Sequence, residues 1–289
     1  MTQLTFLAVH AHPDDEASST GGTFRALKDE GVRTVLVTCT RGEYGDALGG
    51  VKPDEDGHDP DVVAEFRKGE LAQAVEILGI DRFVSLDYRD SGMRGWPQND
   101  DPRSFWATPV SDAAEQLAEI LREERPQVIM TYNENGFYGH PDHIQANRIT
   151  LAALELLDYE PTLYYNAIPL SVMAQYRQRW EEEARAEREA ALAAGKEPEQ
   201  NDGPPVNDDG EPFEMGTPDD EIGAAIDVSA VADAKFDALA AHHSQIADSF
   251  WMKMGRERFR ETMRTEWFVR VRDPHGRTGL VDDLFVDYR

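Results

Sequence analysis

Hydrophobic and polar positions follow two alternating rhythms through the first half of the chain. Short apolar runs rich in β-formers, at Leu4–Val9, Thr34–Cys39 and Val128–Tyr132, predict buried strands, and Arg82–Leu86 is a weaker candidate. Between them the spacing predicts helices over Thr20–Glu30, Val62–Leu78 and Val110–Arg122, the last placing Ala113, Leu117, Ile120 and Leu121 on one face. Gly31, Gly79 and Pro126 stand where those helices should stop. This alternation predicts an α/β fold, Rossmann-like, with a mostly parallel sheet and helices on both faces. The loops Arg41–Asp61 and Asp90–Pro109 are long for plain connections and read as functional rims.

Beyond residue 150 the rhythm weakens. Leu163–Ile168 predicts a strand, Gln175–Leu192 a charged helix, and Ala193–Glu221 is acidic and rich in Gly, Pro, Asn and Asp. That stretch is expected to be a mobile insertion without chemistry of its own. The segment Ile222–Val228, helices at Ala230–His243 and Gly255–Thr265, and a strand at Glu266–Val271 complete the chain. One domain over 1–289 is expected, with a core at 1–168, the charged helix and insertion at 175–221, and a smaller C-terminal α/β portion at 222–289.

Composition narrows the chemistry. The 289 residues carry a formal charge of −27, which argues against nucleic acid or an anionic membrane surface as partner. Cys39 is the single cysteine, so neither an internal disulfide nor a thiolate metal cage can form, and any metal must be held by His, Asp or Glu. No basic leader precedes a long apolar stretch and no apolar run reaches membrane-spanning length, so a soluble, cytoplasmic protein is expected.

The first strand runs straight into "HAHPDDE", His10 to Glu16. His12 and Asp15 are three apart where a loop turns into a helix, a spacing that lets imidazole and carboxylate converge on one cation. Asp14 lies between them, free for another role. The plainer alternative is that Asp14 or Asp15 caps the helix while His12 packs. A second cluster, "NGFYGHPDH" from Asn135 to His143, repeats the order of strand, His-Pro-Asp and helix, here through a Gly-containing loop, with Pro141 suited to a first helical turn. In a parallel sheet both clusters lie at the carboxyl edge, where ligands bind. Two such clusters at one edge point to a metal site. A nucleotide-binding reading fails, because "HAHPDDE" occupies the place of the glycine-rich phosphate turn.

"AHPDDE" with "GHPDH" resembles the PIG-L/LmbE-type zinc-dependent de-N-acetylases, which remove N-acetyl groups from glucosamine-containing substrates. "TRGEYGD" (Thr40–Asp46), "FRKGEL" (Phe66–Leu71), "RDSGM" (Arg89–Met93) and "LAAHHSQ" (Leu239–Gln245) are similar to the group of that family containing the mycothiol-biosynthesis deacetylase and the mycothiol S-conjugate amidase. The resemblance implies His12, Asp15 and His143 as metal ligands; spacing alone leaves His140 equally eligible. It implies Zn²⁺, and such a donor set also accepts Fe²⁺, cobalt or manganese. It further implies Asp14 as general base, Tyr138 as oxyanion donor, and His140, oriented by Asp142, as the imidazolium that protonates the leaving amine.

Glu43, Arg67 and Asp90 match positions that contact sugar hydroxyls in the mycothiol-type enzymes. His10 and His242 read as packing residues, and Cys39 as a small core residue. Trp96, Trp106 and Trp251 suit either sugar stacking or plain burial. The function implied is hydrolysis of an N-acetyl group on an N-acetylglucosaminyl small molecule. Its rivals are an amidase for a larger N-acyl conjugate, a tailoring deacetylase for an antibiotic, and a sugar-binding protein without turnover; the base at Asp14 argues against the last.

Overall fold

The computed structural model describes residues 3–193, 215–247 and 249–289. Seven strands form one sheet: β1 (Thr5–His10), β2 (Arg33–Thr40), β3 (Arg82–Tyr88), β4 (Val128–Thr131), β5 (Thr162–Ala167), β6 (Ala224–Asp227) and β7 (Thr265–Arg272). Their spatial order is β3-β2-β1-β4-β5-β7-β6. The first five run parallel, and β7 is antiparallel to both β5 and β6. The C-terminal strands therefore extend the same sheet.

The longer helices are α1 (Asp15–Asp29), α2 (Pro60–Leu78), α3 (Val110–Glu124), α5 (Pro141–Leu154), α6 (Leu170–Ala193), α7 (Ala232–Ala241) and α10 (Gly255–Thr262). Short turns α4 (Gly136–Gly139), α8 (His243–Ile246) and α9 (Phe250–Lys253) lie between them. Alternate residues of the central strands feed separate cores, as the two-residue repeat of a strand dictates. Phe6 and Ala8 of β1 pack with Phe24, Leu71, Leu78 and Leu239 from α1, α2 and α7, whereas Leu7 and Val9 pack with Leu117, Leu121 and Ile149 from α3 and α5.

Helix stops fall where composition placed them. Gly79 ends α2 with φ 70°, and Arg125 ends α3 at φ 44° directly before Pro126. α1 starts at Asp15, five residues before the apolar periodicity, because its first turn buries Asp15 and Glu16 instead of aliphatic groups. α6 likewise begins at Leu170, earlier than its charge pattern indicates. Most of the acidic stretch expected as an insertion, residues 194–214, lies outside the described residues. Among the described residues no helix is long and apolar enough to cross a membrane.

The chain runs β1-β2-β3 outward, then returns to place β4 on the other side of β1. This makes β1/β4 the switch point of the sheet, where the loops leaving two neighbouring strands diverge and open a crevice.

Candidate metal centre and hydrolytic site

The segment after β1 carries His12, Asp14 and Asp15, and the segment after β4 carries His140, Asp142 and His143. Pairing of β1 with β4 (Phe6↔Val128, Leu7↔Ile129, Ala8↔Met130) brings the two together. His12, Asp15, His140, Asp142 and His143 are all buried. Asp15 Oδ2 stands 3.5 Å from His12 Nδ1 and 3.6 Å from His143 Nε2. Ligand atoms around a tetrahedral zinc with bonds of about 2.0–2.1 Å are separated by roughly 3.4 Å, so Asp15 stands at ligand-pair distance from each of the two histidines.

Two further observations fit a cation. His143 Nδ1 lies 3.2 Å from the Gly136 carbonyl, which assigns the ring proton to Nδ1 and leaves a bare lone pair on Nε2. That Nε2 is buried with no hydrogen-bond partner among the described residues, a costly state for a polar atom unless an electron-poor partner meets it. His12 Nε2 lies 3.2 Å from Asp142 Oδ2 and 3.7 Å from Asp90 Oδ1, leaving Nδ1 on the Asp15 side. Burial alone would lower His12, but Asp90, Asp142 and Asp15 hold it well above the ordinary histidine value. Three buried carboxylates thus draw positive charge to this point. Among the described residues, the groups whose ligand atoms all lie within 4.8 Å of one another are His12, His140 and His143, and His12, Asp90, His140 and Asp142; Asp15 belongs to neither.

Asp14 does not cap α1. It precedes the helix at φ 108°, ψ −28°, with no side-chain capping bond. Arg67 Nη2 donates to Asp14 Oδ2 at 2.8 Å and to the Pro13 carbonyl, and Nη1 donates to the Gly42 carbonyl at 2.7 Å. Burial pushes the Asp14 carboxyl up to about 6 against the pull of Arg67. Near neutral pH such a group is ionised yet basic, which suits proton abstraction.

The structure corrects the pairing of Asp142 with His140. The Asp142 carboxylate accepts from the Ser91 backbone N–H (2.9 Å) and hydroxyl, and from His12 Nε2, so it orients His12. His140 Nδ1 instead accepts the backbone N–H of Asp142 at 3.1 Å. A nitrogen accepting that bond carries no proton. Burial, with His12 and His143 close by, pushes His140 well below the ordinary value, and a cation at the neighbouring donors would lower it further. His140 is therefore neutral, with its proton on Nε2.

The three expected sugar contacts line the inner wall. Glu43 is fully buried, accepting from Arg41 Nη2 (2.9 Å) and the Asp90 backbone N–H (3.0 Å), so in this conformation it has no surface for a sugar. Arg67 is 3% exposed and grips the Asp14 turn. Asp90 accepts from the Gly92 N–H at 2.7 Å and faces His12.

Tyr138 stacks edge-on to His143, with ring centroids 5.0 Å apart. With Asp15 and His143 it borders a cavity of about 900 Å³ whose walls include Met93, Phe137, Trp251 and Trp267. Of the other tryptophans, Trp106 lies under the Arg148 guanidinium at 4.8 Å, and Trp96 packs over Gly92. Cys39 is buried in the core. His10 packs as expected, between Thr20 Oγ1 (2.9 Å) and the Tyr132 hydroxyl (3.2 Å).

Sequence reasoning missed Glu16, Ser91 and Gly136, and took His242 for packing alone. Glu16 Oε2 accepts the Asp14 backbone N–H (3.0 Å), and its Oε1 lies 2.6 Å from His242 Nε2. Gly136 has φ 62°, and a Cβ there would stand 2.8 Å from both His143 Cβ and the Ile144 nitrogen. Gly136 in "NGFYGHPDH" was the available signal for this crowding; Ser91 lies in "RDSGM", where nothing pointed to its bond with Asp142.

Comparison with known proteins identifies the family. Residues 7–154 match the family described as "PIG-L: GlcNAc-PI de-N-acetylase". A 1D-myo-inositol 2-acetamido-2-deoxy-alpha-D-glucopyranoside deacetylase from Thermomonospora curvata is 41% identical over 272 residues, covering 85% of this chain and 82% of the relative. The fold is similar to that of N,N'-diacetylchitobiose deacetylase from Pyrococcus horikoshii (TM-score 0.56, 19% identity, 91% of this chain and 82% of that one). It is equally similar to a 4-carboxy-2-hydroxymuconate hydratase from Pseudomonas putida (TM-score 0.56, 16% identity, 96% and 99%), so architecture alone does not select the reaction. The family match and the extended 41% identity do: this chain belongs to the PIG-L family and is a hydrolase that removes N-acetyl groups from N-acetylglucosaminyl compounds.

Proposed function

We propose that the substrate is an N-acetylglucosaminyl inositol, deacetylated with a zinc ion held by His12, Asp15 and His143. The observation that carries the ligand set is the orphaned Nε2 of His143 facing Asp15 at 3.6 Å, next to His12. A divalent cation there supplies Lewis acidity, polarising the acetamide carbonyl and making water a better nucleophile near neutral pH.

The chain's own groups do the rest. Asp142 fixes the His12 ring through Nε2, and the Gly136 carbonyl fixes the ring of His143. Arg67 holds Asp14 Oδ2, so Asp14 takes the proton of the attacking water on Oδ1 and returns it to the departing amine. Neutral His140 donates its Nε2–H, and Tyr138 its hydroxyl, to the oxygen that gains charge. Asp90 and Arg67 support this wall from behind.

The test is acetate release from the inositol conjugate and from free N-acetylglucosamine, using metal-stripped protein reloaded with Zn²⁺ or Fe²⁺. Metal-dependent release favouring the conjugate is expected. No release from any N-acetylglucosaminyl compound by loaded protein would refute the reading. The apolar cavity beside Asp15 and His143 favours a second reading, in which the amide bears a larger apolar group. Longer N-acyl analogues in the same assay decide between them.

A further inference from the structure

Asp14 occupies backbone space that residues with a Cβ avoid (φ 108°, ψ −28°). Such strain persists only where surrounding contacts over-determine it. Arg67 grips the turn from one side, through the Pro13 carbonyl and Asp14 Oδ2. The other grip is Glu16, whose Oε2 accepts the Asp14 N–H at 3.0 Å. Glu16 is itself held by His242, which reaches across from the end of α7 to place Nε2 2.6 Å from Oε1.

We infer that Glu16 and His242 are positioning residues: a buried carboxylate–imidazole pair that locks the Asp14 backbone and so aims its carboxylate. The inference rests on Asp14 acting as base in the deacetylase reading. Both side chains are fully buried, and among the described residues the bond to Glu16 is the single hydrogen bond of the His242 ring, whose Nδ1 has no partner there. Joining α7 to α1 does not require this chemistry. An apolar pair of similar volume would do so without desolvating two ionisable groups, and such replacements are often neutral or stabilising. What an apolar pair could not do is accept the Asp14 N–H.

The test compares Glu16→Ala, Glu16→Gln, His242→Ala and His242→Gln, each made in the wild-type and Asp14→Ala backgrounds. A misaimed base should lower kcat by roughly 10- to 100-fold in Glu16→Ala, as displacements of about 1 Å do. KM and metal content should stay within about twofold. Glu16→Gln keeps an acceptor oxygen and should lose less, which covers the case in which the alanine variant fails to fold. His242→Gln can still donate to Glu16 and should recover most of what His242→Ala loses.

In the Asp14→Ala background none of these changes should slow the residual rate further, since groups that act through one residue are not additive. Independently of activity, hydrogen exchange of the Asp14 amide in metal-free protein should accelerate in Glu16→Ala and much less in His242→Gln. The inference is overturned if Glu16→Ala slows the Asp14→Ala protein by the same factor, if kcat falls only as metal is lost, or if Asp14 amide protection is unchanged. A wild-type chain that releases no acetate overturns the functional reading instead, and lost protection in that protein still upholds the lock.

Discussion

Replacing Asp142 with alanine separates two roles that its position allows. The side chain is fully buried and takes three hydrogen bonds: from the Ser91 N–H at 2.9 Å, from the Ser91 hydroxyl, and from His12 Nε2 at 3.2 Å. Truncation leaves the buried Ser91 amide without a partner, at a cost of about 1–3 kcal/mol in stability. It also frees the His12 ring to rotate and removes the charge that makes its Nδ1 a better donor. Losing such an outer partner of a ligating histidine typically weakens metal binding about 10- to 100-fold, or roughly 1.4–2.8 kcal/mol. Zinc affinity is read by competition with a chromophoric chelator, and turnover is then measured with metal in excess. The expected outcome is weaker affinity, with most of the turnover restored at saturating metal. Asp142→Asn, which keeps an acceptor but not the charge, should fall between. Unchanged affinity with a low kcat at saturation would refute the argument and return Asp142 to His140 or the substrate.

Three other outcomes follow from the same geometry. Asp14→Ala should retain metal but lose turnover by at least ~100-fold, whereas Asp15→Ala should lose the metal, as metal analysis and single-turnover rates would show. kcat/KM should decline with unit slope as pH falls through about 6 or lower: Asp14 works as the carboxylate, burial raises it to about 6, and a bound cation only pulls that value down. Gly136→Ala should destabilise the protein by about 1–2 kcal/mol and weaken metal binding, because the φ of 62° suits glycine and the new Cβ would push against His143; thermal melts with and without zinc would report both effects.

Much of this architecture can be read from the sequence, and what cannot has physical reasons. β1, β2, β4 and β5 announce themselves as continuous apolar runs because both sheet faces are covered there. β3 gives a weaker signal because it is an edge strand, with exposed and half-buried positions alternating. The first turn of α1 shows no apolar period because its buried face consists of Asp15 and Glu16.

At the site, residue types and their strand-end placement point to a metal centre, but partner choice depends on sheet order. Asp142 is two residues from His140 in sequence, yet its carboxylate turns to His12 on the adjacent strand's loop. Arg67 carries the pattern of a sugar ligand, yet sits behind Asp14, since α2 packs against the turn that leaves β1. Glu16 and His242 are far apart in the chain and meet only because α7 lies against α1.

The pairing of β1 with β4 has a consequence for how the protein comes together. His12 and His143 are 131 positions apart, so holding both on one cation in a disordered chain would cost about 4 kcal/mol of closure entropy. A metal ion is therefore a poor early template, and the centre forms after the central strands have aligned. The alignment leaves little room for error. A slip of one residue would move His12 by about 3.3 Å relative to His143, comparable to the Asp15 contacts at 3.5 and 3.6 Å, and would exchange the faces of Phe6 and Leu7. Once the native register is reached, metal at 100 times its dissociation constant adds about 2.7 kcal/mol against unfolding. Metal uptake during refolding would thus act as a clock for completion of the β1–β4 seam, and chelation would selectively weaken that seam.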